Sequence, residues 1–233
     1  MQFLVEPAAA ARRLPEGATP LPAERAGDLH PSLRNVVAAQ PEFAGWVPAR
    51  LCFLYFGRVE AGGVRMTQKD PRKAPLLALW TVAAPDSAGS PREVAVEIFT
   101  SSSRLERPAR DAGLDFRSAR STVGKVPEDE EGRPSEDDRY SIRLGKTRIT
   151  WDGHPAGDST GASTPVVMAW RAEGRSDDWV EGVLTLAPRS SGGMIGSLKV
   201  EGKDDLADML MQSPIRFVGP GYRGGGASLR IAH

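Results

Sequence analysis

The sequence predicts a mainly β protein: about ten short, largely antiparallel strands closed into a barrel or a two-layer sandwich, with two or three short helices. Three observations carry this. From Ala49 onward, apolar or alternating segments of strand length recur. Glycine-bearing turn sequences separate several of them, as at Gly62-Gly63 and Gly145-Lys146. The links are short, which favours hairpins over parallel crossovers. About ten strands strain a flat open sheet, hence the expected closure.

The elements follow in order. Residues 1–28 read as an extended arm rich in alanine and proline, with Pro7, Pro15, Pro20 and Pro22 interrupting regular structure. Large apolar side chains are few there, so the arm needs support from the body of the domain or from a neighbouring chain. Residues 29–233 read as a single β-rich domain. Asp28 is placed to cap a helix with Pro31 in its first turn and Leu33, Val36 and Val37 on one stripe, ending near Gln40 before Pro41.

Leu51–Phe56 and Leu76–Ala83 are apolar enough to be central strands. Val59–Ala61 and Val64–Met66 form a hairpin. Glu93–Phe99 alternates, with Val94, Val96 and Ile98 on one face and Ala95, Glu97 and Phe99 on the other. Residues 101–138 break the pattern: a helix over Ser103–Ala112 interrupted at Pro108, then an acidic loop at 127–138. Tyr140–Leu144 and Thr147–Trp151 make a second hairpin. Strands over Thr164–Ala172, Trp179–Ala187 and Met194–Val200 follow. A helix capped by Asp204 or Asp205 runs through Met211, and strands over Ile215–Val218 and Ala227–Ile231 close the chain.

Composition excludes several classes. With 40% hydrophobic and 26% charged residues, the chain of 233 residues is globular and soluble, with enough length to bury its own core. A formal net charge of zero argues against nucleic acid as the partner, because phosphate-backbone affinity is largely electrostatic. A single cysteine, Cys52, rules out an internal disulfide framework and a thiolate-rich zinc site. Neither a signal peptide nor a transmembrane segment is expected; the compartment stays open, with the cytoplasm favoured. Six of the thirty basic residues are lysine, and the arginine excess reads as genome composition.

Several motifs invite chemistry. Gly219–Gly224 has the spacing G-x-G-x-x-G, but a strand rather than a helix follows, so a turn with Tyr222 and Arg223 as contact residues is expected. Gly157-Asp158-Ser159-Thr160-Gly161 has the spacing G-x-S-x-G without the strand–turn–helix setting that exposes a nucleophile. The same five residues resemble the Gly-Asp-Ser-Gly-Gly of chymotrypsin-like proteases, which implies a nucleophilic Ser159 with His154 or His30 as base. Thr160 departs from that pattern. His154 with Asp152 and Asp158 is a possible cation loop. Trp46, Trp80, Trp151, Trp170 and Trp179 fall mostly on strands, as core anchors do.

The segment Ser32-Leu33-Arg34-Asn35-Val36-Val37 followed by Val47-Pro48 resembles the start of acetoacetate decarboxylase-like proteins. That resemblance implies an enzyme with a desolvated, nucleophilic lysine. No lysine motif here matches; Lys199 is the lysine on a clear strand, beside Ile195 and Ser197.

The expectation is therefore a non-catalytic binding or scaffold protein, an accessory subunit that meets a protein partner or a second copy through the N-terminal arm. No catalytic, cofactor-binding or metal residue is named and no cofactor is expected. The alternative is a β-barrel that binds a small molecule, or an enzyme built on one, acetoacetate decarboxylase-like or a hydrolase. An enclosed cavity with converging polar groups separates that alternative from a scaffold, which has a filled interior and an outstretched arm.

Overall fold

The computed structural model describes residues 1–14, 16–26, 30–61, 64–68, 73–85, 89–111, 116–127, 137–160, 164–171, 179–187, 190–214, 216–217, 221–223 and 226–231. In chain order the elements begin with β1 (Gln2–Val5), α1 (Pro7–Ala11), α2 (Pro31–Ala39), β2 (Val47–Tyr55), β3 (Arg58–Ala61), β4 (Val64–Thr67), β5 (Leu76–Pro85) and β6 (Pro91–Thr100). They continue with α3 (Ser103–Asp111), β7 (Phe116–Lys125), β8 (Asp138–Leu144), β9 (Thr147–Thr160), β10 (Thr164–Arg171) and β11 (Trp179–Ala187). The last are β12 (Ser190–Glu201), α4 (Asp205–Gln212), β13 (Arg216–Phe217), β14 (Gly221–Arg223) and β15 (Gly226–Ile231).

The fold is mainly β, as expected, and its curvature takes the form of a half-barrel of eight strands in the order β1-β2-β5-β6-β7-β8-β9-β12. The short β13 and β14 extend its two ends, and β3–β4 is a separate hairpin. β6 branches: Glu93 and Val94 pair in parallel with β10, whereas Ile98 to Thr100 pair in parallel with β7. β10, β11 and β15 form an antiparallel ladder off that branch. No helix among the described residues is long and apolar enough to cross a membrane.

Pairing register decides which side chains face inward. Ala49, Leu51 and Phe53 of β2 lie opposite Val82, Trp80 and Ala78 of β5, all on the concave face. Arg50 and Cys52 lie opposite Thr81 and Leu79 on the convex face. Between β5 and β6 the register slips: Trp80 pairs with Glu97, but Thr81 pairs with Ala95. Val96 is therefore an inserted residue, a bulge. The expected alternation is corrected by it. Val94 shares the concave face with Glu97 and Phe99, while Glu93, Ala95 and Ile98 share the convex face.

The curl brings β2 close to β8, so Tyr55, Tyr140 and Trp151 stack across the concavity at centroid distances of 6.1 and 5.3 Å. Burial, outweighing the neighbouring Ser121 hydroxyl, pushes the Tyr55 phenol up to about 12. On the convex face α2 sets Leu33 and Val37 against Leu4 and Ala23, with Phe43 and Trp46 at the edge. His30, rather than the expected Asp28, occupies the capping position of α2 and makes no side-chain cap; Asp28 lies outside the described residues.

Two other expectations change. Residues 116–125, which carry little that asks for burial, form β7, where the small Ala119 and the half-buried Ser121 share the inward face with Arg117. The loop expected around Asp152, His154 and Asp158 is instead part of β9. Gly153 allows this: it faces Gly196 of β12, and a β-carbon on it would sit 2.1 Å from the Ile195 carbonyl oxygen. The turn between β8 and β9 is where expected, with Gly145 at φ +58°. The acidic residues 128–136, and Gly62 and Gly63 of the first hairpin, lie outside the described residues.

The N-terminal segment takes its support from the body of the domain, one of the two sources expected. It is neither short of core contacts nor stretched towards a neighbour. β1 is paired on both sides, with β2 and β13, and Phe3, Leu4 and Val5 are buried. Ala9, Ala10, Leu14, Leu21 and Ala26 join the main core. Pro7 starts α1 instead of breaking it, because the first helical turn has no amide partner to lose. The body of the domain holds the arm. Deleting residues 1–28 is accordingly expected to abolish cooperative unfolding in a urea titration, and Phe3→Ala alone to cost about 3–5 kcal/mol.

Candidate functional site

A cavity of about 280 Å³ opens on the concave side between β5, β6, β7, the β8–β9 turn and α4. Trp80 and Phe99 form its apolar wall, with Leu144 and Leu206. Its polar groups are Arg13, Glu97, Arg117, Ser118 and Asp204. The bulge at Val96 is what aims Glu97 here, and Arg117 reaches it from the neighbouring parallel strand.

Arg117 Nη1 donates to Glu97 Oε1 at 2.7 Å, and Arg13 Nη1 lies 3.6 Å from the same oxygen. Arg13 comes from the chain just after α1; its guanidinium carbon sits 5.6 Å from the Trp80 ring centre, and its Nη2 is held by Asp205. Asp204 is fully occupied as the cap of α4, accepting from Lys146 N at 2.9 Å, from Ala207 N at 3.1 Å and from the Thr147 hydroxyl. Burial alone would raise its carboxyl, but those hydrogen bonds hold it below the usual value.

Glu97 is the opposite case. Desolvation pushes its carboxyl up, aided by Asp204 and Asp205, and the two guanidiniums do not fully offset it. A carboxyl that desolvation makes a weaker acid, standing at the wall of a cavity, is a candidate acid–base group. Arg117 is 61% exposed, so it is free to turn to another anion when Glu97 is protonated.

A second polar group lies on the convex side of the same strand. Glu93, 2% exposed, has Arg50 Nη2 at 3.0 Å and His30 Nε2 at 3.3 Å from Oε1; both are ion-pair distances without full hydrogen-bond alignment. The Thr81 hydroxyl donates to Oε2 at 3.2 Å. Burial would raise Glu93, but His30, Arg50 and Thr81 outweigh it and keep the carboxyl below its ordinary value. Sealed under α2, this group ties the helix to the sheet. Cys52 shares the face, and burial pushes its thiol up, away from thiolate chemistry.

The sequence candidates are placed as follows. His154 Nδ1 lies 2.6 Å from Asp137 Oδ1, and Asp152 is taken by a two-pronged contact from Arg139 at 2.8 and 2.6 Å. Ser159 pairs with Ser191 in the ladder, five residues along β9 from His154, roughly 16 Å away, so the two do not form a nucleophile–base pair. The side chains of Asp158 and Ser159 lie outside the described residues. Among those described, no group of three or more histidine, cysteine or acidic side chains is placed to hold a metal ion. Tyr222 lies on β14, so part of the glycine-rich loop is strand. Trp80 and Trp151 are core anchors, and Trp46 packs under α2. Lys199 is exposed and paired with Glu201 at 2.9 Å, and every other described lysine is exposed, so none is desolvated as a Schiff-base nucleophile must be. Glu97 carried no signal in the sequence beyond a charged residue on a strand, and Arg117 and Arg13 lay outside the expected strands.

No protein-family model matches the chain, and no curated protein matches it. Among solved structures, the chain is similar to the enduracididine biosynthesis enzyme MppR complexed with pyruvate, at 14% identity and a TM-score of 0.48, over 99% of this chain and 85% of that one. It is also similar to an acetoacetate decarboxylase-like enzyme from Sphingomonas wittichii RW1, at 12% identity and a TM-score of 0.45, over 98% and 89% of the two chains.

The cavity and the folded N-terminal segment correct the expectation of a non-catalytic scaffold or accessory subunit. A scaffold was to have a filled interior and an outstretched arm; this chain has a cavity with converging charged groups and an arm folded into its own sheet. The alternative of a small-molecule barrel fits better.

The convex cluster yields a pH test. The folded-state value of Glu93 lies below its ordinary 4.5, so its contribution is complete above that range and is lost as pH falls through the folded value. Glu93→Gln is expected to cost about 3 kcal/mol at pH 7 and to remove most of the acid sensitivity of the melt, read by calorimetry from pH 7 to pH 3.

Proposed function

We propose that this chain is a small-molecule enzyme of the proton-transfer class, working in the concave cavity. Glu97 is its acid–base group and Arg117 the partner of a negatively charged oxygen on the substrate. One observation carries the reading: a carboxyl raised by desolvation stands at a cavity wall beside a guanidinium that is free to change partners.

The charges set the order of events. Arg13 is committed to Asp205 and Asp204 to the α4 cap, so Glu97 and Arg117 are the pair left to respond to a ligand. A substrate carboxylate or enolate that pairs with Arg117 removes the guanidinium from Glu97. Glu97 then gains a proton more readily, from solvent or from the substrate carbon beside a carbonyl. Trp80 and Phe99 exclude water from one side and raise the strength of both interactions. The size of the cavity suits a molecule of a few carbons.

A panel of three- to five-carbon carboxylic acids, with and without an adjacent carbonyl, tests this. Binding is expected to raise the melting temperature and to take up a proton, seen as a dependence of titration heat on buffer ionisation enthalpy. Arg117→Gln is expected to weaken binding about tenfold or more. Glu97→Gln is expected to keep binding but lose proton–deuterium exchange on the bound acid by about a hundredfold or more. Exchange that survives in Glu97→Gln removes the assigned role.

A further inference from the structure

The convex face of β7, β8, β9 and β12 carries a charge pattern that neither the cavity nor the core explains. Arg120 lies directly opposite Arg143, and Arg143 directly opposite Arg148. The inward neighbours Ile142, Leu144 and Ile149 are core residues, so the three arginines point outward together, and all three are exposed. Strands sit about 4.8 Å apart, so the three positions form a line roughly 10 Å long. Like charges facing each other across a sheet repel.

One described carboxylate, Glu201 opposite Arg148, feels the charge of the line, and Lys199 and Arg148 together hold it below its usual value. Arg143 Nε donates to the Gly145 carbonyl at 3.3 Å, and no acidic side chain among the described residues is ion-paired with Arg120, Arg143 or Arg148. Glu201, which faces Arg148, is held by Lys199 at 2.9 Å. The next row across the same strands is Thr122, Ser141, Thr150 and Lys199, a band of hydroxyl donors ending in a further cation.

We propose that this face binds a linear oligophosphate, a chain of three or more phosphoryl groups lying along the arginine row. Guanidinium forks match phosphate oxygens in pairs, and the hydroxyl row supplies neutral donors beside them. The surface is a sheet face rather than a cleft, which suits an extended anion over an enclosed metabolite. Its described outward positions on β7, β8 and β9 are arginine, serine, threonine, aspartate, glycine and histidine, with no phenylalanine, tyrosine or tryptophan for the bases of single-stranded nucleic acid to stack on.

Isothermal titration of the full chain with sodium tripolyphosphate, at 50 and 200 mM salt, tests the proposal. Binding is expected at low salt and is weakened at high salt. Arg120→Gln, Arg143→Gln and Arg148→Gln are each expected to weaken it about tenfold, while the exposed off-row Lys203→Gln leaves it unchanged. Without ligand, Arg143→Gln is expected to raise the melting temperature, because it removes repulsion from both sides. Arg117→Gln is expected to bind tripolyphosphate normally, which keeps this surface separate from the cavity. Equal losses in Lys203→Gln, or a fall in melting temperature for Arg143→Gln, would overturn the proposal. So would equal affinity for a thymidine homopolymer. Binding that emerges only when Glu128, Asp129, Glu130 and Glu131 are neutralised would assign the row to the chain's own acidic segment instead.

Discussion

The slip in register between β5 and β6 is the constraint from which the chemistry of this chain follows. Glu93 and Glu97 are four residues apart, a spacing that puts both on one face of a regular strand. Val96, inserted without a partner, sends them to opposite faces. Glu93 then meets Arg50, Thr81 and His30 on the convex side, where α2 closes over it. Glu97 meets Arg117 and Arg13 on the concave side, at the wall of the cavity. A regular ladder would place two carboxylates on one face, and neither set of partners would be complete.

The same residue type thus does two jobs. Both glutamates are desolvated, which by itself raises a carboxyl. Around Glu93 the nearby cations and a hydroxyl prevail, so the group stays ionised and binds a helix to a sheet. Around Glu97 the guanidiniums are farther off or exposed to water, and Asp204 and Asp205 add negative charge, so desolvation prevails. Fixed charge serves attachment, whereas a carboxyl raised by desolvation is the group proposed for proton transfer.

The N-terminal segment links these two sides. β1 completes the sheet beside β2, and the stretch after α1 carries Arg13 over Trp80 and onto Asp205 of α4. Folding of this segment and assembly of the cavity are consequently one event. Few large apolar residues suffice, because Phe3, Leu4 and Val5 are covered from both faces and by strands on both edges.

Much of the architecture was legible in the chain. Apolar runs at 51–56 and 76–83, the glycine turn at 145, and the Asp204 cap each depend on neighbours a few residues away, and local pattern reports such features directly. β7 was not legible, since Arg117, Ala119 and Ser121 show no apolar alternation; a curled sheet with small side chains at that point accepts them. The pairing of Glu97 with Arg117, the sealing of His30 against Glu93, and the alignment of Arg120, Arg143 and Arg148 depend on strand register and on a bulge. Those are set by the summed fit of long-range ladders, and a one-residue slip reverses every face assignment. Local sequence therefore determined that the chain would form strands, and tertiary pairing alone decided which of its many charges would meet.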